Sequence, residues 1–108
     1  MNKLFAALLS VFACGSAFAG QSYGTVTTPL SNEQGAFFFS AGSATGKPAC
    51  AVQTLGYWAV NTTTAGGKAM AATVLAAYAN GKTIQVAGKG VCDVWNDRES
   101  VSWLYIVN

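Results

Sequence analysis

The chain has 108 residues, of which 52% are hydrophobic and only 9% charged, with a formal net charge of +2. So sparse a charge excludes the basic footprint of a nucleic-acid binder and the composition of a disordered tail, and no nucleic-acid partner is expected. No histidine is present, which removes the commonest general base and metal ligand, so no metal or other cofactor is expected.

The first nineteen residues read as an export leader. MNK is a short positive start, LFAALLSVFA an apolar run, and Ala17-Phe18-Ala19 a small-x-small cleavage pattern. The run is shorter than the ~20 residues a helix needs to cross a bilayer, so no membrane span is expected. Cleavage after Ala19 leaves 108 − 19 = 89 residues, Gly20 to Asn108, as a single domain. A rival reading takes Val11-Phe12-Ala13-Cys14 as a lipoprotein site with Cys14 lipidated, which the bulky Phe12 fits poorly. The expected location is periplasmic or secreted. The exported part keeps five basic residues (Lys47, Lys68, Lys82, Lys89, Arg98) against four acidic ones (Glu33, Asp93, Asp97, Glu99).

Tyr23 to Thr28 is β-prone and stops at Pro29. A polar turn, Ser31 to Gly35, leads to Ala36-Phe37-Phe38-Phe39-Ser40, where alternation puts Phe37 and Phe39 on one face and Phe38 on the other. Gly42 to Pro48 is loop composition. Cys50 to Gln53 and Gly56 to Val60 form a third β-prone block, with Leu55-Gly56 as a bulge or tight turn. Asn61-Thr62-Thr63 matches a glycosylation sequon but reads better as the N-cap region of the alanine-rich helix predicted over 65–80. Met70, Val74 and Tyr78 recur at i, i+4, i+8 with Ala71 and Leu75 alongside, and Asn80-Gly81 supplies the stop. The outward face is mostly alanine, with Lys68 its only charge, which fits either plain helix propensity or packing against another subunit.

Lys82 to Ala87 alternates with Ile84 and Val86 inward, and Gly88-Lys89-Gly90 turns. Val91 to Trp95 reads as another strand and Asn96 to Glu99 as a polar hairpin turn. The last strand, Val101 to Val107, has Val101, Trp103, Tyr105 and Val107 on one face and Ser102, Leu104 and Ile106 on the other; both are apolar, which predicts cover on both sides. Three strand blocks, one helix, then further strand segments (82–87, 91–95 and 101–107) resemble the order of an OB-type barrel, which has five strands and one helix between the third and fourth. The fold class expected is therefore mainly β, a small five-stranded OB-like barrel with one helix between strands 3 and 4.

Cys50 and Cys92 read as one disulfide in an exported domain of this size. Neither CxxC spacing nor histidine supports a redox pair or a metal site. Gly81-Lys82-Thr83 imitates the end of a P-loop, but Ala76 stands where its first glycine belongs. Asp93, Asp97 and Glu99 supply enough carboxylates for glycoside hydrolysis, yet Arg98 among them is a ready ion partner and a hairpin tip is ordinarily polar. No catalytic residue is assigned. Tyr57, Trp58, Trp95, Trp103 and Tyr105 are many aromatics for one small barrel, and most are assigned to the core. Trp95 at a strand end beside Asn96 and Asp97 is the candidate ligand site, because a ring face with adjacent hydrogen-bonding groups suits a sugar.

Ala49-Cys50-Ala51-Val52 with Trp58, the helix end Ala76-Ala77-Tyr78-Ala79-Asn80-Gly81-Lys82 and Thr83-Ile84-Gln85-Val86 resemble small exported bacterial OB-fold proteins. The family includes the B subunits of subtilase-cytotoxin and pertussis-toxin-related type, and shorter members with a late Gly-x-x-Cys-x-x-Trp, here Gly90 to Trp95. The resemblance covers about residues 49–107 and implies a non-catalytic, glycan-binding subunit that assembles into a ring with helices at its centre. This chain is shorter than those subunits, and their sugar-contacting residues do not transfer to it. The expectation is an exported, non-catalytic module binding a glycan or a partner protein and self-associating. The alternative is a secreted enzyme inhibitor or a structural envelope protein.

Overall fold

The computed structural model describes residues 19–107, so Cys14 and the leader other than Ala19 lie outside the described residues. Strands β1 (Gln21–Ser31), β2 (Ala36–Ala41) and β3 (Trp58–Asn61) precede helix α1 (Ala65–Ala79), and β4 (Thr83–Gly88) and β5 (Glu99–Val107) follow it. They close a barrel in the order β1-β2-β3-β5-β4, with β4 returning to β1. All pairs are antiparallel except β3 with β5. This is the predicted fold class, with the helix between strands 3 and 4. No helix among the described residues is long and apolar enough to cross a membrane.

β1 serves two neighbours in turn, β4 along residues 21–25 and β2 from Val26 onward. It does not stop at Pro29 as predicted. A register shift between Thr27 and Leu30, with Thr28 at φ 48°, carries the strand past the proline, whose missing N–H is tolerated at such an irregularity. In β2 the alternation holds. Phe37 and Phe39 enter the interior with Trp58, Val60, Ile84 and Val86, while Phe38 packs outside with Ala36, Ala59 and the half-buried Val94 and Trp95.

Thr64 caps α1, its hydroxyl accepting from Gly67 N–H at 2.9 Å, and Asn80-Gly81 ends the helix as expected. The buried stripe is Gly67, Ala71, Val74 and Ala77. Leu75 and Tyr78, predicted inward, are exposed and Met70 is only partly buried. At its start the helix lies close against the end of β3, where a Cβ on Gly67 would lie 1.7 Å from the Asn61 carbonyl oxygen, and Ala71, Val74 and Ala77 follow into the interior.

Two predicted strands are loops. The segment 50–57 is irregular up to Trp58, and Val91 to Trp95 lies in a long loop between β4 and β5. In that loop the N–H groups of Asp93 and Val94 donate to the Ser100 hydroxyl, at 3.1 and 3.2 Å, which holds them out of a strand ladder. Cys92 is bonded to Cys50, with Cα atoms 6.2 Å apart, so the disulfide joins two loops and does not fix a strand.

The face assignment of β5 also changes. Ala87 pairs with Trp103 but Gly88 with Val101, leaving Ser102 as the extra residue of a bulge. Below it Glu99 and Val101 point inward; above it Leu104 and Ile106 do, and Trp103 and Tyr105 are left bare by this chain. Reduction of Cys50–Cys92 is expected to lower unfolding free energy by ~4 kcal/mol, from the entropy regained by a loop of that length, measured by urea titration with and without reductant.

Candidate functional site

The expected ligand site, Trp95, Asn96 and Asp97, is divided by the structure. Trp95 stands edge-on to Phe38, with ring centroids 5.5 Å apart, and Arg98 lies over the same ring at 4.3 Å. Arg98 also donates to the Gly56 carbonyl at 2.7 Å and the Leu55 carbonyl at 3.2 Å, and pairs with Asp97 at 3.0 Å, the only ion pair among the described residues. The Asp97 carbonyl accepts from Val52 and Gln53 N–H at 3.2 and 3.1 Å. Asp97 and Arg98 thus clasp the irregular segment before β3, satisfying backbone groups that have no strand partner. Asn96 is exposed at the tip, and Trp95 borders a hollow of about 230 Å³ with Gln34, Asn61, Thr63 and Asp93.

The three clustered carboxylates have three separate tasks. Asp93 accepts the Ser100 hydroxyl and Asp97 holds Arg98. Glu99, predicted in a polar turn, is fully buried. Its Oε1 accepts the Tyr57 hydroxyl at 2.7 Å, and its Oε2 accepts the N–H of Gly20 at 2.8 Å and of Gly90 at 2.9 Å. Glycine makes room for it: a Cβ on Gly88 would lie 2.0 Å from Oε2, and one on Gly20 2.4 Å from Oε1. Burial first, then the hydrogen bond to Glu99 and its negative charge, push the Tyr57 phenol well above the usual tyrosine range.

The outer face of β1, β4 and β5 has different chemistry. Register sets Tyr23, Gln85 and Tyr105 in one row across the three strands, and Gln21, Ala87 and Trp103 in the next. Neighbouring members of a row are ~4.8 Å apart. Tyr23, Trp103 and Tyr105 are 60%, 51% and 52% exposed, and the last two rings stack at 5.9 Å and 19°. Large aromatics left bare side by side form a patch that is unusual on a small domain. Gln85 sits among them with its Nε2 donating to the Ser22 carbonyl at 3.1 Å. Beside Tyr23 a hollow of about 260 Å³ is lined by Gln21, Ser22, Ser43, Thr45 and Gln85. Ring faces next to amides and hydroxyls, with no charge among them, match the C–H faces and hydroxyls of a neutral sugar.

Sequence reasoning named Trp103 and Tyr105 as surplus aromatics but not Tyr23, and expected their strand to be covered. The signal that would have linked them is the polar-aromatic alternation Gln21, Tyr23, Thr25 set against Trp103 and Tyr105. Among the described residues no group of three metal-ligating side chains is found. Scans against protein-family models, curated proteins and solved structures found no match to this chain.

A phenol whose proton is held more tightly in the native state stabilises fully below its unfolded value of ~10, and that contribution declines as pH rises above it. Tyr57→Phe is expected to cost about 1–3 kcal/mol at neutral pH, by removing one donor from a buried carboxylate. It should also flatten the loss of stability above pH ~10, read by denaturant titration at several pH values.

Proposed function

We propose that the chain is an exported, non-catalytic binding module that takes a neutral glycan on the outer face of β1, β4 and β5 and self-associates. The observation that carries this reading is the row Tyr23–Gln85–Tyr105 with Trp103 beside it. It offers stacking surfaces and hydrogen-bonding groups at the spacing of adjacent strands. The leader pattern and the Cys50–Cys92 disulfide support export. A non-catalytic role is favoured because Asp97 is committed to Arg98 and Glu99 is sealed in the interior.

Self-association draws support from α1, whose outward side is alanine with the exposed Leu75 and Tyr78, and from the resemblance to ring-forming B subunits. A protein partner docking on the aromatic face, as in an inhibitor or an envelope scaffold, is the second reading, since tyrosine and tryptophan also anchor interfaces. A glycan array separates the two. The exported chain is expected to retain a neutral glycan there, and Trp103→Ala to weaken that binding about tenfold or more with the melting temperature unchanged. No retained glycan, or undiminished binding by Trp103→Ala, contradicts the glycan reading. A strictly monomeric mass by light scattering at tens of micromolar contradicts self-association.

A further inference from the structure

A carboxylate without an ion-pair partner is costly to bury, and Glu99 has none among the described residues: its three partners are the N–H groups of Gly20 and Gly90 and the hydroxyl of Tyr57, whose ring centroid is 5.9 Å from Lys47 Nζ. Arg98, next in the chain, turns away to the carbonyls of Leu55 and Gly56. One of the three donors is not an ordinary amide in prospect. Gly20 nitrogen is the atom that cleavage after Ala17-Phe18-Ala19 releases as an amino terminus.

We propose that Glu99 is a built receptor for the chain's own mature amino terminus: hydrolysis of the Ala19–Gly20 bond sets the Gly20 α-ammonium in a buried ion pair with the Glu99 carboxylate. A leader peptidase is the co-reactant class. Water adds its oxygen to the Ala19 carbonyl carbon and both its protons to the Gly20 nitrogen. Ala19 leaves as a carboxylate with the leader, and Gly20 is left as an ammonium. The single amide donor at 2.8 Å from Oε2 becomes a cation with three donors.

The surroundings fit that product. Gly20 is buried, whereas Ala19 before it is exposed, so the scissile bond lies where the chain enters the barrel. Gly20 is held independently of what precedes it: its carbonyl accepts from Gly88 N–H at 2.9 Å, and Gln21 pairs with both Ala87 and Thr45. The slot suits glycine, because a Cβ there would lie 2.4 Å from Glu99 Oε1 and 3.2 Å from the Thr45 carbonyl oxygen and would push the carboxylate off its partners. Cleavage one residue earlier would place an amide at the carboxylate and its charge outside. Removal of the leader therefore completes the fold as well as releasing it.

This inference rests on the export reading and not on the glycan face, so glycan binding and the following comparison fail separately. The chain exported with its own leader is analysed by intact mass and expected to begin at Gly20. Its melting temperature is compared with that of a chain retaining Ala19, each with and without Glu99→Gln. The Gly20 chain is expected to melt about 10 °C or more above the Ala19 chain, and Glu99→Gln to abolish the difference. In the folded Gly20 chain the α-amine is expected to react with an acylating reagent at least about tenfold more slowly than after unfolding, as burial in an ion pair requires. A different mature terminus, equal melting of the two wild-type chains, a difference that survives Glu99→Gln, or an α-amine equally reactive folded and unfolded each overturns the proposal. If Glu99→Gln does not fold, the wild-type comparison and the amine reactivity decide it.

Discussion

Glu99 ties together the ends of four of the five strands. It opens β5 and pairs with Trp58, the first residue of β3; Tyr57, just before β3, gives it a hydroxyl. Gly20, just before β1, and Gly90, just after β4, give it their amides, and Gly88 at the end of β4 leaves space for the carboxyl group. One end of the barrel is thus closed around a charged group with every oxygen occupied. Such a network is strong when complete and costly when any member is missing. Trp58, alongside, has its own buried bond from Nε1 to the Ser22 hydroxyl at 2.8 Å, so the interior at this end is polar and specific, not merely filled.

The same strand links this interior to the proposed binding face. The extra residue Ser102 shifts the phase of β5, so that Glu99 and Val101 face inward below it while Trp103 and Tyr105 face outward above it. Without the bulge, unbroken alternation would put Glu99 on the side of Trp103. One bulge therefore buries the carboxylate and bares the rings. The disulfide and the Arg98 clasp act elsewhere, on the loops that lack strand partners, and leave the aromatic face alone.

The chain was legible where alternation, capping chemistry or residue count decides. The split of Phe38 from Phe37 and Phe39 follows from strand alternation, the Thr64 cap and Asn80-Gly81 stop from backbone needs at helix ends, and the cysteine pair from cysteine count and the expectation of export. Legibility failed where specific contacts override periodicity. The phase of β5 depends on a bulge against Ala87 and Gly88, which periodicity within 101–107 cannot register. The inward stripe of α1 is Gly67, Ala71, Val74 and Ala77, of which the Met70-Val74-Tyr78 spacing itself singled out only Val74. Val91 to Trp95 has strand composition, but its amides are claimed by Ser100. Within the expected site Trp95 and Asn96 keep open surroundings, while Asp97 is committed to Arg98 and the segment before β3.

The most direct test is a crystal structure of the exported chain at a resolution that shows its first residue. The account predicts that the chain begins at Gly20, with its α-nitrogen about 2.7–2.9 Å from Glu99 Oε2 in a closed interior, as a charge-assisted bond requires. A first residue other than Gly20, or a Gly20 nitrogen turned to solvent with Glu99 left to Gly90 and Tyr57, would contradict it.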